Sequence, residues 1–221
     1  MSRTAIQLAD QALRAPHSLL SDDPEDLSRD GPTLAVLTAA GAAIFGMSAG
    51  SWHGGVQLVF AAVKAPLLFM IPLAVCLPAM RVLLETEGQE LSHTKVALAG
   101  LVGMARAGML SAALSPVLWL FLSLHPSYAS AALWLAGTLA LAGLPGLVTI
   151  ARILAPPRRR LPAVLVSVLL LGATTAQTGW LLRPFIALPH AEVTFLRPLE
   201  HDIAHALFHN LSVEPRREHP Q

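Results

Sequence analysis

Residues 56–84 read VQLVFAAVKAPLLFMIPLAVCLPAMRVLL and contain only two charged side chains, Lys64 and Arg81. A helix needs about 20 mostly apolar residues to cross the hydrocarbon core of a bilayer, because each residue advances it by about 1.5 Å. This stretch is longer than one crossing requires. It predicts a membrane-spanning helix and so places the chain among membrane proteins.

Four further apolar stretches lie at residues 32–50, 96–124, 129–154 and 162–182. Over the 221 residues, 54% are hydrophobic and 13% are charged, whereas a typical soluble domain has about 25% charged residues. This composition excludes an ordinary soluble enzyme domain, a disordered tail and a coiled coil. The sequence therefore predicts an all-α fold, a polytopic transmembrane helical bundle of about five spans.

The cations predict how this bundle lies in the membrane. With a cytoplasmic N-terminus, the inner segments carry nine cations: Arg3, Arg14, Arg29, Arg81, Lys95, Arg152, Arg158, Arg159 and Arg160. The outer loops at 51–55 and 125–128 carry none, and cytoplasmic loops are typically the ones rich in Lys and Arg. All four tryptophans, at positions 52, 119, 134 and 180, fall at the outer ends of their segments, as in an aromatic belt. We therefore expect the N-terminus inside and the C-terminus outside.

Composition also bears on the source and the partners. Only two of the fifteen cations are lysines, and a chain rich in Ala, Leu and Arg is typical of a GC-rich bacterial genome. We expect a multi-pass protein of the bacterial inner (plasma) membrane, in contact with the lipid bilayer and with other membrane proteins or a second copy. The net charge of +1 provides no field for nucleic acid.

Two extramembrane segments flank the predicted bundle, which would occupy residues 31–183. Residues 1–30 would form a cytoplasmic segment, with a short helix over 4–15 that lies on the inner membrane surface through Ile6, Ala9 and Leu13. Residues 184–221 would form a C-terminal tail with an amphipathic helix over 198–211. The sequence thus divides into three parts.

Small residues recur every fourth position in two of the predicted spans. Gly46, Gly50 and Gly54 follow one another near the end of the first span, and Gly103, Ala107 and Ser111 do so along the third. Small residues let helix backbones approach closely in a membrane. They predict packing within the bundle, or alternatively an interface with a second copy or another membrane protein.

Two cations, Lys64 and Arg106, fall inside apolar runs, and a charge inside a membrane is a functional candidate by default. Each would instead reach the interface if its span begins just after it. No acidic residue falls inside the spans as predicted, which argues against an ion-coupled pump.

Other polar side chains suggest ligand or lipid contacts. Gln57 lies in a polar, glycine-rich outer junction that forms either a tight turn or a re-entrant loop, and Gln177 could reach it from the fifth helix. Arg183, at the end of the last span, could bind lipid phosphate. Prolines within the spans, Pro66, Pro72, Pro78, Pro116 and Pro145, predict kinks or breaks of the kind found in transporters.

His201, His205 and His209 are the one group with metal-like spacing, since residues four apart share a helix face. No Cys and no HExxH pattern accompanies them, and an amphipathic surface helix explains the spacing as well. We therefore expect no metal and no cofactor. The sequence contains no nucleophile elbow, phosphate loop or dinucleotide fingerprint, so we expect no enzymatic activity.

The soluble N-terminal segment, the Pro/acidic break and five closely spaced Gly/Pro-rich helices over residues 15–182 give one family resemblance. The stretches KAPLL at residues 64–68 and WLLRPFI at 180–186 give a second one. The chain resembles Yip1-like membrane proteins and a group of uncharacterised bacterial multi-pass proteins. Eukaryotic Yip1-like proteins act in vesicle traffic and interact with small GTPases, whereas the bacterial group implies no ligand. The small-residue ridges, with no catalytic motif in the sequence, favour a structural or membrane-organising subunit. The alternative is a small-molecule or lipid transporter that uses the proline-rich second helix.

Overall fold

The computed structural model describes residues 4–86, 91–124, 127–155 and 161–182, and this part of the chain contains helices and no strand. A short helix, α1, is followed by a 3-10 turn over Pro16–Leu19 and then by five long helices. Their bounds are α1 Ala5–Arg14, α2 Pro24–Gly50, α3 Val56–Thr86, α4 His93–Ser123, α5 Tyr128–Leu154 and α6 Leu161–Leu181.

The five helices α2 to α6 are long enough and apolar enough to cross a membrane. This confirms the predicted all-α transmembrane bundle and makes the chain a multi-pass membrane protein. The prolines of α3, α4 and α5 all lie inside continuous helices. The breaks that they predict are therefore absent from this part of the chain.

The first long helix begins eight residues earlier than predicted. Asp23 caps it, because its side chain accepts a hydrogen bond from the Glu25 amide at 2.9 Å, and Pro24 occupies the first turn. Pro32, which the sequence analysis took as the start, lies inside α2. The predicted domain boundary at residue 30 consequently falls within this helix.

Helix α4 lies at the centre of the bundle. It packs against α2 on one side and α5 on the other, while α3 packs against α2 and α6. Within the most apolar 18-residue stretch of each helix, 61% of the stretch is buried in α4, compared with 28% in α5 and 22% in α6. Helices α5 and α6 therefore present most of their surface to the surroundings.

Helix α1 forms as predicted and docks on the bundle. Thr4 and Gln7 form a capping box at its start. Leu8 and Ala12 are buried against Leu98 and Val102 of α4, whereas Ile6 on the other side is 82% exposed. The predicted apolar face therefore remains available to lipid, and a second face fastens α1 to the bundle.

Aromatic side chains gather at the opposite end of the bundle. The ring centroids of Trp52 and Tyr128 are 6.1 Å apart, and those of Phe121 and Trp134 are 4.3 Å apart in a stacked arrangement. We call this end the aromatic end and the other the α1 end.

Candidate functional site

The small-residue ridge of α2 lies against α3. A Cβ atom added to Gly46 would lie 2.2 Å from the carbonyl oxygen of Ala61, and one added to Gly50 would lie 2.6 Å from the Cα of Leu58. No side chain fits at such distances, so glycine is required where these two backbones meet. The prediction of packing within the bundle is confirmed here.

The ridge of α4 is used in the same way against α5. A Cβ atom on Gly103 would lie 2.4 Å from Ile150, and Ala107 touches the position that a Cβ of Gly146 would occupy. Ser111 is fully buried and donates to the carbonyl oxygen of Ala107 at 2.9 Å. These residues thus make their close contacts within the bundle.

Gly54 does not belong to the ridge. Helix α2 ends at Gly50, and Gly54 lies in the following turn with a φ of 77° and nothing within 4 Å of an added Cβ. Gly55, with a φ of 56°, completes the turn. The outer junction is therefore a tight turn that relies on the left-handed freedom of two glycines.

Lys64 is buried inside the protein instead of reaching the surface. Helix α3 begins at Val56, so Lys64 lies more than two turns inside it, and its relative exposure is 0%. Ala65, next to it, contacts Gly46 of α2, and Leu68, one turn on, contacts Gly179 of α6. Lys64 is therefore buried within the protein, and its interfacial placement stays a prediction.

Gln57 and Gln177 lie on the two helices that meet here. Gln57 is 0% exposed and lies seven residues before Lys64, on the same face of α3. Gln177 is half-buried in α6 and lies along the chain between Thr174 and Gly179. The Oγ1 of Thr174 is 3.3 Å from the Sγ of Cys76. The α3–α6 contact thus contains the polar pair of Cys76 and Thr174. Arg183 and the histidines 201, 205 and 209 lie outside the described residues.

Arg106 lies at the contact between α4 and α5. Its Nη1 donates to the Oγ1 of Thr149 at 3.1 Å, and that hydroxyl donates to the carbonyl oxygen of Pro145 at 2.7 Å. The Nε of Arg106 is buried, and no hydrogen-bond partner for it lies among the described residues. A groove of about 370 Å³ opens here and also exposes Arg152.

The depth of Arg106 follows from its neighbours. Ala105, the preceding residue, belongs to the cluster in which Leu8 and Ala12 of α1 are buried. Arg106 therefore lies at the level of the bundle where α1 docks. Its interfacial placement stays a prediction.

Asp30 is a buried acidic residue that the sequence analysis left outside the first span. It is 3% exposed, and its Oδ1 accepts from the Nε of Arg29 at 3.0 Å. The motif Asp30-Gly31-Pro32 resembles a helix start, which concealed its position inside α2. The stronger capping signal at Asp23-Pro24 could have revealed it.

Within the described residues, no group of three or more His, Cys, Asp or Glu side chains could hold a metal ion. Scans against family models, curated proteins and solved structures found no match for this chain.

Proposed function

We propose that this protein is a non-catalytic subunit of the bacterial inner membrane that organises or binds other membrane proteins through the exposed face of α5. Its N-terminus would be cytoplasmic, in agreement with the positions of its cations. The resemblance to Yip1-like proteins belongs to the same proposal, and it rests on the Pro/acidic break and the five Gly/Pro-rich helices over residues 15–182. The observation that carries the proposal is the contrast between two groups of glycines.

Glycines 46, 50, 103 and 146 each face a neighbouring helix at a distance that excludes any Cβ atom. Gly137 and Gly143 of α5, by contrast, have nothing within 4 Å of an added Cβ. Glycine inside a helix costs about 0.5–1 kcal/mol relative to alanine, and packing among the described residues does not require it at these two positions. Close approach of a helix from another molecule would use them.

The surface beside Gly137 has the shape and chemistry of such an interface. A groove of about 270 Å³ is lined by Gly137, Leu133, Trp134, Thr138 and Leu141. Leu133 is 73% exposed and Trp134 is 45% exposed. A large aromatic side chain beside an open glycine backbone is suited to receive an apolar helix.

The test is a pull-down from the native membrane with mass spectrometry. We expect Gly137→Leu to remove the specific partners, because the side chain fills the groove, while the protein level remains unchanged. Val75→Leu is the matched control, since Val75 is 63% exposed on α3 and does not line this groove. A wild-type protein that is recovered as a monomer without partners would contradict the proposal.

A transporter is the second candidate, and complete burial of Lys64 favours it. An enclosed ionisable residue on a helix with Pro66, Pro72 and Pro78 is characteristic of substrate and ion pathways. In a deletion strain with an uptake defect, Lys64→Met or Gln57→Ala should fail to restore uptake at normal protein level. Val75→Leu should restore it. Full uptake by the Lys64→Met variant would exclude this candidate.

A further inference from the structure

The α1 end of the α4–α5 contact contains two guanidinium groups with no described carboxylate beside them. Arg106 and Arg152 both line the groove of about 370 Å³, and the other lining residues are Leu141, Leu144, Pro145, Val148 and Thr149. The lining therefore carries two positive charges and no negative one. In the described part of the chain, neither arginine forms an ion pair.

The protein itself orients one of these groups. Arg106 is held through Nη1 by Thr149, whose hydroxyl is fixed in turn on the carbonyl oxygen of Pro145. One hydrogen bond uses one of the five N–H groups of a guanidinium. Arg106 is thus positioned while most of its donors are left for an acceptor in the groove.

The wall of the groove changes character along α5. Arg152 lies in the last turn of the helix, beside Ile153, which packs against the cluster that buries α1. Toward the middle of the helix, Leu144 is 58% exposed and Leu141 is 60% exposed. Charge at the α1 end of the groove followed by an open apolar wall matches the order of a headgroup and an acyl chain.

We infer that this groove binds an anionic phospholipid. Arg106 and Arg152 receive the phosphate of its headgroup, and one acyl chain lies along Leu141 and Leu144. Basic pockets between transmembrane helices at a membrane boundary are suited to such headgroups, because arginine binds phosphate through several parallel hydrogen bonds. The lipid groove shares Leu141 with the partner groove at Gly137, whereas its two arginines lie outside the partner groove.

Native mass spectrometry of the full chain, purified and supplied with phosphatidylglycerol or phosphatidylcholine of identical acyl chains, tests the inference. We expect one phosphatidylglycerol to be retained in preference to phosphatidylcholine. Arg106→Gln and Arg152→Gln should each weaken this retention by about fivefold, the scale of one basic residue acting on an anionic lipid. Arg152 is exposed, so its substitution tests the site without disturbing the fold.

Arg14→Gln is the control, because Arg14 is an exposed cation on α1 that pairs with Asp10 at 2.7 Å. It should retain the lipid as the wild type does. Equal retention of the two lipids by the wild type, or unchanged preference in the double arginine variant, would overturn the inference. Displacement of the lipid by inorganic phosphate at equal concentration would also overturn the inference, because it would indicate a simple anion site. Occupation of the groove by an acidic protein segment would overturn it as well.

Discussion

Gly146 of α5 faces Gly103 of α4 so closely that a Cβ atom on Gly146 would lie 2.6 Å from the carbonyl oxygen of Gly103. The same atom would lie 2.9 Å from the Cβ of Ala107. Within the described bundle, the contact between α4 and α5 therefore depends on the absence of a side chain on both helices. In a membrane, such close approach replaces the hydrophobic drive that is missing between helices surrounded by lipid.

We expect Gly146→Ala to lower the free energy of unfolding by about 1–3 kcal/mol, the usual cost of forcing an extra carbon into a packed interior. Unfolding in detergent, followed by tryptophan fluorescence, measures the change. Gly137→Ala is the matched control on the same helix, because nothing lies within 4 Å of its added Cβ. The control should be neutral or stabilising by up to about 1 kcal/mol, and equal losses in both variants would contradict the packing argument.

The carboxylate of Asp22 connects the N-terminal segment to the start of α4. It accepts hydrogen bonds from the Oγ of Ser92 at 2.7 Å and from the Nζ of Lys95 at 3.4 Å. The Ser92 hydrogen bond is the main reason that the pKa of Asp22 lies below its ordinary value of 3.8. Because the lower pKa belongs to the folded state, this contact stabilises above about pH 4 and is lost as the pH falls through the folded value.

We therefore expect hydrogen exchange in α1, corrected for the intrinsic effect of pH, to be constant from neutral pH to about pH 5 and to rise below about pH 4. Asp22→Asn should show the faster exchange already at neutral pH. Asp10→Asn is the control, since its ion pair with Arg14 is exposed. Constant exchange down to about pH 2 would show that Asp22 does not fasten the segment.

Thr149 positions Arg106, so its substitution should affect the lipid site and leave the bundle folded. We expect Thr149→Val, which lacks the hydroxyl but keeps the shape, to lose the preference for phosphatidylglycerol over phosphatidylcholine. Thr149→Ser should restore that preference, because the hydroxyl returns. A purely structural role would instead lower the unfolding midpoint of the valine variant without changing the lipid preference.

The proposed orientation predicts which positions are labelled from outside the cell. In a Cys76→Ser background, which removes the only cysteine, His53→Cys at the aromatic end should react with a membrane-impermeant maleimide in intact cells. Thr86→Cys, exposed at the other end of α3, should react only after permeabilisation. The reverse pattern would place the N-terminus outside.

Several features followed from the sequence because they depend on local composition. Long apolar runs must form helices in a membrane, since every backbone group needs a partner within its own segment. The runs therefore predicted five spans, although the start of α2 was misplaced because Asp30-Gly31-Pro32 imitates a helix start. The predicted close packing at Gly46 and Gly103 also followed from spacing, since residues four apart share one face of a helix.

The tertiary structure decided which side of each helix meets another one. The burial of Lys64 is a property of the folded bundle, and no periodicity within α3 reveals it. Arg152 joins Arg106 only because α5 packs against α4 at the level where α1 docks. In lipid, the apolar surroundings and an apolar helix face are chemically alike. Sequence patterns therefore predict that a helix spans the membrane, whereas its neighbours are determined by shape.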